Sequence, residues 1–271
     1  MSFRTFETSD PLTMPDGLQC VTVKSNALKQ RVDLTIYLPS EFSHLHNLPI
    51  VTLLHGVYGS HWSWSFKGAA HLTAGRMMRQ GEIKPMVLVM PSDGLWGDGS
   101  GYVKHTHQDF ENWIVEEVPN IATQAVNACS QESSQFISGL SMGGFAALRL
   151  AGQYPERYQA ASAHSSLTHI AQLDTLIEES RDLWASDECS QSVLASLKTA
   201  SNLPALRFDC GIEDAFIHTN RQLHQALLDQ QIEHIYEEFS GGHDWAYWKL
   251  HLADSLRFFS SIEDKLNHTS K

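Results

Sequence analysis

The most informative part of the chain reads Phe136-Ile137-Ser138-Gly139-Leu140-Ser141-Met142-Gly143-Gly144. An apolar run leads into the pattern Gly139-x-Ser141-x-Gly143, and residues 145–151 after it are good helix formers. This order is typical of a strand that turns sharply into a helix with a serine at the turn. Side chains two residues before and after the serine would collide there, so glycine is favoured at both positions. We predict a strand, a turn and a helix, with Ser141 at the turn.

A serine at such a turn can act as a nucleophile. The helix begins beneath it, so the positive end of the helix dipole lies near the oxyanion that forms on attack. The alternative is a glycine-rich turn without chemistry. If Ser141 is the nucleophile, an acid and then a histidine base should follow it along the chain.

The acid is expected at the end of the strand that contains Phe208. Asp214 lies past this strand and can point across the edge of the sheet, whereas Asp209 lies inside the strand. Glu213 is the nearest rival, and the N-cap of the next helix is the alternative role for Asp214. We predict that Asp214 orients the base.

His243 is the predicted base. It follows a last strand over residues 235–239 and two glycines, which let the loop bend over the serine. A solvent-facing loop histidine is the alternative. Three other histidines fall in a strand, in the final helix or too early in the chain: His234, His251 and His164.

An oxyanion hole needs two backbone N–H groups, one just after the nucleophile and one from the loop after an early strand. Met142 supplies the first by its position. The loop Gly56-Val57-Tyr58-Gly59 follows the apolar run 50–54, and Val57 is the predicted second donor. A tight turn without this role is the alternative. The side chain of His55 is expected to be structural.

Tryptophans in two loops after strands are candidates for lining a substrate pocket. Simple packing is at least as common a role for such side chains. The candidates are Trp62, Trp64 and Trp96.

Short apolar runs alternate with helical patterns along the chain. Nearly continuous apolar runs, typical of parallel strands covered on both faces, lie at 50–54, 86–90 and 206–208. Alternating runs, typical of half-exposed edge strands, lie at 21–23 and 32–38. Amphipathic helical patterns lie at 110–118, 144–150, 221–228 and 254–266.

This alternation predicts the α/β class and, with the serine turn, an α/β-hydrolase fold. We expect one domain over residues 1–271, with a mostly parallel central sheet flanked by helices. Residues 167–203 are too many for a simple crossover. They predict one crossover helix and a small helical lid over the carboxyl edge of the sheet.

Composition excludes some classes of partner. The formal net charge of −12 disfavours a phosphate backbone, so no nucleic acid is expected. The chain contains no run of about 18 apolar residues, so no membrane span is expected. The N-terminus does not resemble a secretory signal, so a cytoplasmic location is expected, although a chain with its signal removed would look the same. Assembly into a homo-oligomer is compatible with the sequence.

The four cysteines show neither a CxxC pair nor zinc-ligand spacing, so buried free thiols are expected. They are Cys20, Cys129, Cys189 and Cys210.

With these residues in place, the chain resembles the esterase D-type family of α/β-hydrolases. This group includes S-formylglutathione hydrolases, tributyrin-type, feruloyl and acetylxylan esterases, and mycolyltransferases. The matching pieces are Leu54-His55-Gly56, Gly139-Leu140-Ser141-Met142-Gly143-Gly144, Cys210-Gly211-Ile212-Glu213-Asp214 and Gly242-His243-Asp244-Trp245.

The resemblance implies a Ser141–Asp214–His243 triad with oxyanion donors at Met142 and Val57. The loop at Val57 lacks the longer cysteine-bearing form associated with S-formylglutathione hydrolases. A serine carboxylesterase acting on small acyl esters is therefore expected, without metal or cofactor. A thioesterase of the S-formylglutathione hydrolase type, an acyltransferase and a non-catalytic binding module are the alternatives.

Overall fold

A computed structural model describes residues 3–269 of the chain. Within this range nine strands form one sheet in the order β1-β2-β3-β5-β4-β6-β7-β8-β9. The first three strands are antiparallel, β3 also pairs antiparallel with β5, and the others are parallel. The strands are β1 Phe3–Thr8, β2 Leu18–Ser25, β3 Arg31–Tyr37, β4 Ile50–Leu54, β5 Val87–Pro91, β6 Gln135–Leu140, β7 Ala160–His164, β8 Ala205–Gly211 and β9 Ile235–Phe239.

Helices cover both faces of this sheet. They are α1 Ser63–Phe66, α2 Ala70–Arg79, α3 Phe110–Asn112, α4 Val118–Ala125, α5 Met142–Gln153, α6 Glu188–Gln191, α7 Val193–Thr199, α8 Ile217–Asp229 and α9 Trp245–Thr269. A π-helical turn, Trp113–Glu117, joins α3 to α4, and 3₁₀ turns lie at Ser40–Phe42 and Ile170–Thr175.

The core has two apolar layers, one on each face of the sheet. One layer includes side chains of α4, α5, α7 and α8, and the other includes side chains of α1, α2 and α9. The parallel strands β4 to β8 are almost entirely buried, which explains their continuous apolar sequences. The α/β-hydrolase fold class and its mostly parallel sheet are confirmed.

The predicted elements lie where expected, with some differences. Strand β1 and helices α1 and α2 were not predicted. Helix α9 begins at Trp245, earlier than the predicted start at residue 254, because Asp244 caps it: its Oδ1 accepts the N–H groups of Ala246 and Tyr247 at 2.9 and 3.1 Å.

The segment 167–203 contains a 3₁₀ turn and the short helices α6 and α7, joined by irregular chain. Ser196 of α7 donates a hydrogen bond to the carbonyl of Arg149 on α5 at 2.6 Å, which fixes this end of the segment against the body of the protein.

Two further observations concern the described residues as a whole. None of their helices is both long and apolar enough to cross a membrane. The four cysteines are unpaired; Cys129 and Cys210 are buried as expected, whereas Cys20 and Cys189 are half-buried.

Candidate active site

Ser141 lies in a strained turn between β6 and α5. Its backbone has φ +54° and ψ −119°, a conformation that L-residues rarely adopt. The flanking glycines are required by space: a Cβ at Gly139 would lie 2.2 Å from the carbonyl oxygen of Gly143, and a Cβ at Gly143 would lie 2.4 Å from that of Leu54. The serine side chain is therefore held by backbone geometry at the carboxyl edge of the sheet.

His243 lies over this serine. Its Nε2 is 3.0 Å from Ser141 Oγ, and its side chain keeps 27% of its surface exposed. The ring is held edge-on between Phe216 and Trp248, with centroid distances of 5.1 and 4.9 Å. The loop after β9 thus brings the histidine within hydrogen-bond distance of the hydroxyl.

Asp214 lies on the other side of the imidazole. Its Oδ2 is 2.8 Å from His243 Nδ1, and its Oδ1 accepts the N–H of Phe216 at 2.8 Å. The side chain is fully buried. Burial raises the pKa of this carboxyl, but hydrogen bonds and the charge of His243 outweigh burial and hold the pKa below its usual value. Asp214 is therefore a carboxylate that fixes the orientation of the ring.

The rival acids and histidines have other partners. Asp209 and His164 are fully buried and pair with each other, with 2.9 Å between Oδ2 and Nδ1. Glu213 accepts the N–H of Gly241 at 2.5 Å and so supports the loop that carries His243. His251 pairs with Asp254 at 3.0 Å on α9. His234 precedes β9 rather than lying inside it, and its ring contacts His224 at 2.7 Å.

The predicted oxyanion donors flank the serine. Met142 is the first residue of α5, so its N–H has no intrahelical partner. The loop after β4 comes close: a Cβ at Gly56, next to Val57, would lie 3.2 Å from Ser141 Cβ. His55 Nδ1 is 2.7 Å from the carbonyl of Gly56, which supports the structural role expected for His55. Val57 and Ser141 both line the same cavity, and the role of the two amides as oxyanion donors stays a prediction.

A cavity of about 390 Å³ opens above Ser141. Its walls are mainly apolar and come chiefly from the loop after β4, the segment 167–203, the loop before α8 and the start of α9, with smaller contributions from α1 and the end of β6. The large apolar side chains that line it are Val57, Tyr58, Leu176, Phe216, Trp245 and Trp248, and Lys67 also lines it.

The three tryptophans proposed from sequence do not line this cavity. Trp64 is buried, where its indole N–H donates to the carbonyl of Leu54 at 2.9 Å and its ring packs edge-on against Trp245. Trp96 packs with Trp184 and His105. Trp62 is 41% exposed. The prediction of a pocket lining is therefore wrong for these three residues: Trp64 and Trp96 pack against other side chains, and Trp62 lies at the surface.

Trp245 and Trp248 take their place, and sequence reasoning missed them. A signal was present: both follow His243 closely and are three residues apart, which puts them on one face of a helix that starts at Trp245. The late predicted start of the final helix hid this relation.

The segment 167–203 is tied to loops at the mouth of the cavity. The hydroxyl of Tyr58 donates to the carbonyl of Leu176. The N–H of Glu178 donates to Asp98 at 3.0 Å, and Asp98 in turn donates its own N–H to Glu179 at 3.1 Å. The ring of Trp184 stacks on His105 with 4.4 Å between centroids. One wall of the cavity therefore depends on contacts between separate loops.

Comparison with known families gives a match over most of the chain. The sequence model of the Esterase family, described as "Putative esterase", matches residues 25–259. An acetyl esterase of Caldicellulosiruptor saccharolyticus is 25% identical over 238 residues, which cover 80% of this chain and 85% of that protein. An S-formylglutathione hydrolase of Paracoccus denitrificans is 28% identical over 163 residues, 56% of this chain and 57% of that protein.

Solved structures share the fold. A ferulic acid esterase superposes with a TM-score of 0.73 at 25% identity, covering 95% of this chain and 99% of that one. An S-formylglutathione hydrolase from Agrobacterium tumefaciens superposes with a TM-score of 0.74 at 19% identity, covering 97% and 99%.

Proposed function

Because the chain belongs to the esterase family and is a carboxylic ester hydrolase, we propose that it hydrolyses small acyl esters through a Ser141–His243–Asp214 triad and an acyl-enzyme. The position of His243 carries this proposal. Its two ring nitrogens lie 3.0 Å from the Ser141 hydroxyl and 2.8 Å from the Asp214 carboxylate.

In the first step Ser141 Oγ attacks the ester carbonyl carbon while His243 Nε2 accepts the hydroxyl proton. The Nδ1–H of His243 donates to Asp214, which stabilises the imidazolium that forms. The N–H groups of Met142 and Val57 bind the oxyanion. The bond from carbon to the alcohol oxygen then breaks, and His243 returns the proton to the leaving alkoxide.

In the second step a water molecule attacks the acyl-enzyme. His243 accepts a proton from this water, and the same two N–H groups bind the second oxyanion. Collapse of the intermediate releases the carboxylic acid and gives the proton back to Ser141. No other group is required.

The cavity favours a substrate with a small or aromatic acyl group. Its volume of about 390 Å³ and its aromatic walls fit a compact substrate. We propose that the segment 167–203 acts as the lid, because Leu176 lines the cavity and its carbonyl accepts a hydrogen bond from Tyr58. Location in the cytoplasm and assembly into a homo-oligomer stay predictions.

A thioesterase is the second candidate, favoured by the similarity to an S-formylglutathione hydrolase. The same triad would serve it, so a matched pair of oxygen and sulfur esters separates the two activities. A higher kcat/KM for the sulfur ester would assign the protein to thioesters. Acyl transfer to an added sugar or alcohol, detected as a new ester product, would assign it to transferases.

The test of the proposed function replaces the nucleophile. Ser141→Ala should abolish hydrolysis of p-nitrophenyl acetate and labelling by a fluorophosphonate, with unchanged circular dichroism. Ser138→Ala is the matched control, because this serine lies in β6 just before Ser141, is fully buried, and its hydroxyl has no hydrogen-bond partner among the described residues. It should keep both activities. Turnover retained by Ser141→Ala would refute the assignment.

A further inference from the structure

A second Ser–His–Asp set lies beneath the candidate site. Ser255 Oγ is 2.9 Å from His164 Nε2, and His164 Nδ1 is 2.9 Å from Asp209 Oδ2. All three residues are fully buried, so no substrate reaches them. The three side chains are hydrogen-bonded in the same order as in a catalytic triad. Because they have no access to the surface, we expect them to support other residues.

Buried charge is balanced within this cluster. Arg207 donates to Asp209 at 2.5 Å and to Glu237 at 2.7 Å. Burial raises the pKa of the Asp209 carboxyl, but His164 and Arg207 outweigh burial and lower that pKa below its usual value. Asp209 is therefore a fixed carboxylate in the interior, and breaking one of its contacts leaves a charge without compensation.

One contact connects this carboxylate to the loop that carries His243. The hydroxyl of Tyr247 donates to Asp209 Oδ1 at 2.8 Å. Burial, with a further contribution from Asp209, raises the pKa of this phenol, so it stays protonated and keeps its donor. The Tyr247 ring lies directly under Gly241, where an added Cβ would be 2.7 Å from Tyr247 Cδ2.

His164 of this buried pair also contacts the turn at Ser141, and Asp209 contacts the residue that follows His164. The carbonyl of His164 accepts the N–H of Ser141 at 3.0 Å. The carbonyl of Asp209 accepts the N–H of Ser165 at 2.8 Å. The backbone of the serine turn and the side chain beneath the histidine loop therefore rest on neighbouring residues of β7 and β8.

We propose that Tyr247 is a positioning residue for the base: its hydrogen bond to Asp209 holds the loop 240–244 so that the imidazole of His243 stays within reach of Ser141. This inference rests on the proposed role of His243. Tyr247 itself is not among the residues that line the cavity.

The experiment compares three conservative variants in the full-length protein. Tyr247→Phe removes the donor to Asp209 and keeps the ring under Gly241. Ser255→Ala removes a hydrogen bond from the same buried cluster but not the one that reaches the loop. Tyr236→Phe removes a phenol that donates to Glu238 at 2.9 Å on the edge strand β9.

We expect Tyr247→Phe to lower kcat for p-nitrophenyl acetate by about tenfold with KM unchanged, because a small displacement of a catalytic group lowers the rate strongly. The rate of fluorophosphonate labelling should fall in parallel. The low-field proton signal of the hydrogen bond between His243 and Asp214 should broaden or shift. Ser255→Ala should lower the melting temperature and leave kcat within about twofold of wild type, and Tyr236→Phe should change neither.

The outcome that overturns the inference is a Tyr247→Phe enzyme with the wild-type kcat and proton signal, even if it melts at a lower temperature. An equal loss of kcat in Ser255→Ala would also overturn it, since the loss would then follow stability. If the wild-type protein neither turns over esters nor reacts with the fluorophosphonate, the proposed function fails instead, and the two failures are distinct.

Discussion

At the scale of single residues, the chemistry depends on how closely backbones can approach. Gly56 lets the loop after β4 approach Ser141 closely: a Cβ added at Gly56 would lie 2.9 Å from Leu140 Cδ1 and 3.2 Å from Ser141 Cβ. An added side chain would crowd Leu140 and Ser141, and we expect it to displace the neighbouring amide of Val57, the proposed second oxyanion donor.

Gly56→Ala should therefore lower kcat by about a hundredfold with a small change in KM, the loss expected when one oxyanion donor is displaced. Steady-state kinetics on p-nitrophenyl acetate measure it. Gly81→Ala is the control: its φ is +67° and its Cβ would have open space, so it should reduce stability by about 1 kcal/mol and leave kcat unchanged. An equal kcat in Gly56→Ala and Gly81→Ala would contradict the proposal that Val57 is an oxyanion donor.

Asp214 offers a second test at this scale. Asp214→Asn should lower kcat by about 10³- to 10⁴-fold, because the amide cannot stabilise the imidazolium and favours the wrong tautomer. Glu213→Gln should keep its rate, since the amide oxygen can still accept the N–H of Gly241. If Glu213→Gln lost most of its kcat and Asp214→Asn lost none, Glu213 and not Asp214 would be the residue that orients the base.

At the scale of elements, the cavity wall is made by contacts between loops. Tyr58 follows the predicted oxyanion donor, and its hydroxyl reaches the carbonyl of Leu176 in the segment 167–203. Two elements that line the cavity are thus linked to each other by a hydrogen bond. We expect this hydrogen bond to affect which acyl chain lengths the cavity accepts more than it affects the rate of the chemical steps.

Tyr58→Phe should raise KM for short acyl esters by about two- to tenfold, the range expected for loss of one hydrogen bond, while kcat changes less. The preferred acyl chain should lengthen on a panel of p-nitrophenyl esters from acetate to octanoate. Tyr154→Phe is the matched control, because its hydroxyl bonds Glu111 instead. An unaltered chain-length profile in Tyr58→Phe would argue against a lid at this position.

At the scale of the whole molecule, the parallel strands β6, β7 and β8 are neighbours in the sheet, and their carboxyl ends meet at one edge. The buried Arg207–Asp209–His164 cluster lies along the same strands. Charges in the interior are tolerated there because each has a partner, so stability should depend on their ionisation.

Asp209→Asn should lower the free energy of unfolding at pH 7 by about 3–5 kcal/mol. The folded-state pKa of Asp209 is lowered from its usual 3.8, so the stabilisation is present above that pH and is lost as the pH falls through the folded pKa. Urea unfolding at a series of pH values should show the difference between wild type and variant shrinking below about pH 4. A difference that stays constant with pH would show that the ionised carboxylate is not its source.

The sequence by itself determined the local parts of this protein. The spacing of glycines around Ser141 and the continuous apolar strands follow from short-range backbone sterics and from burial on both faces. The expected order of acid and base follows from the chain order of the predicted fold. The strand bounds Ile50–Leu54 and Ile235–Phe239 were predicted as observed. Only the tertiary structure decided which of several acids and histidines pair, and which tryptophans face the cavity. Those choices depend on how elements far apart in the chain meet, and side-chain packing between them has no local signal.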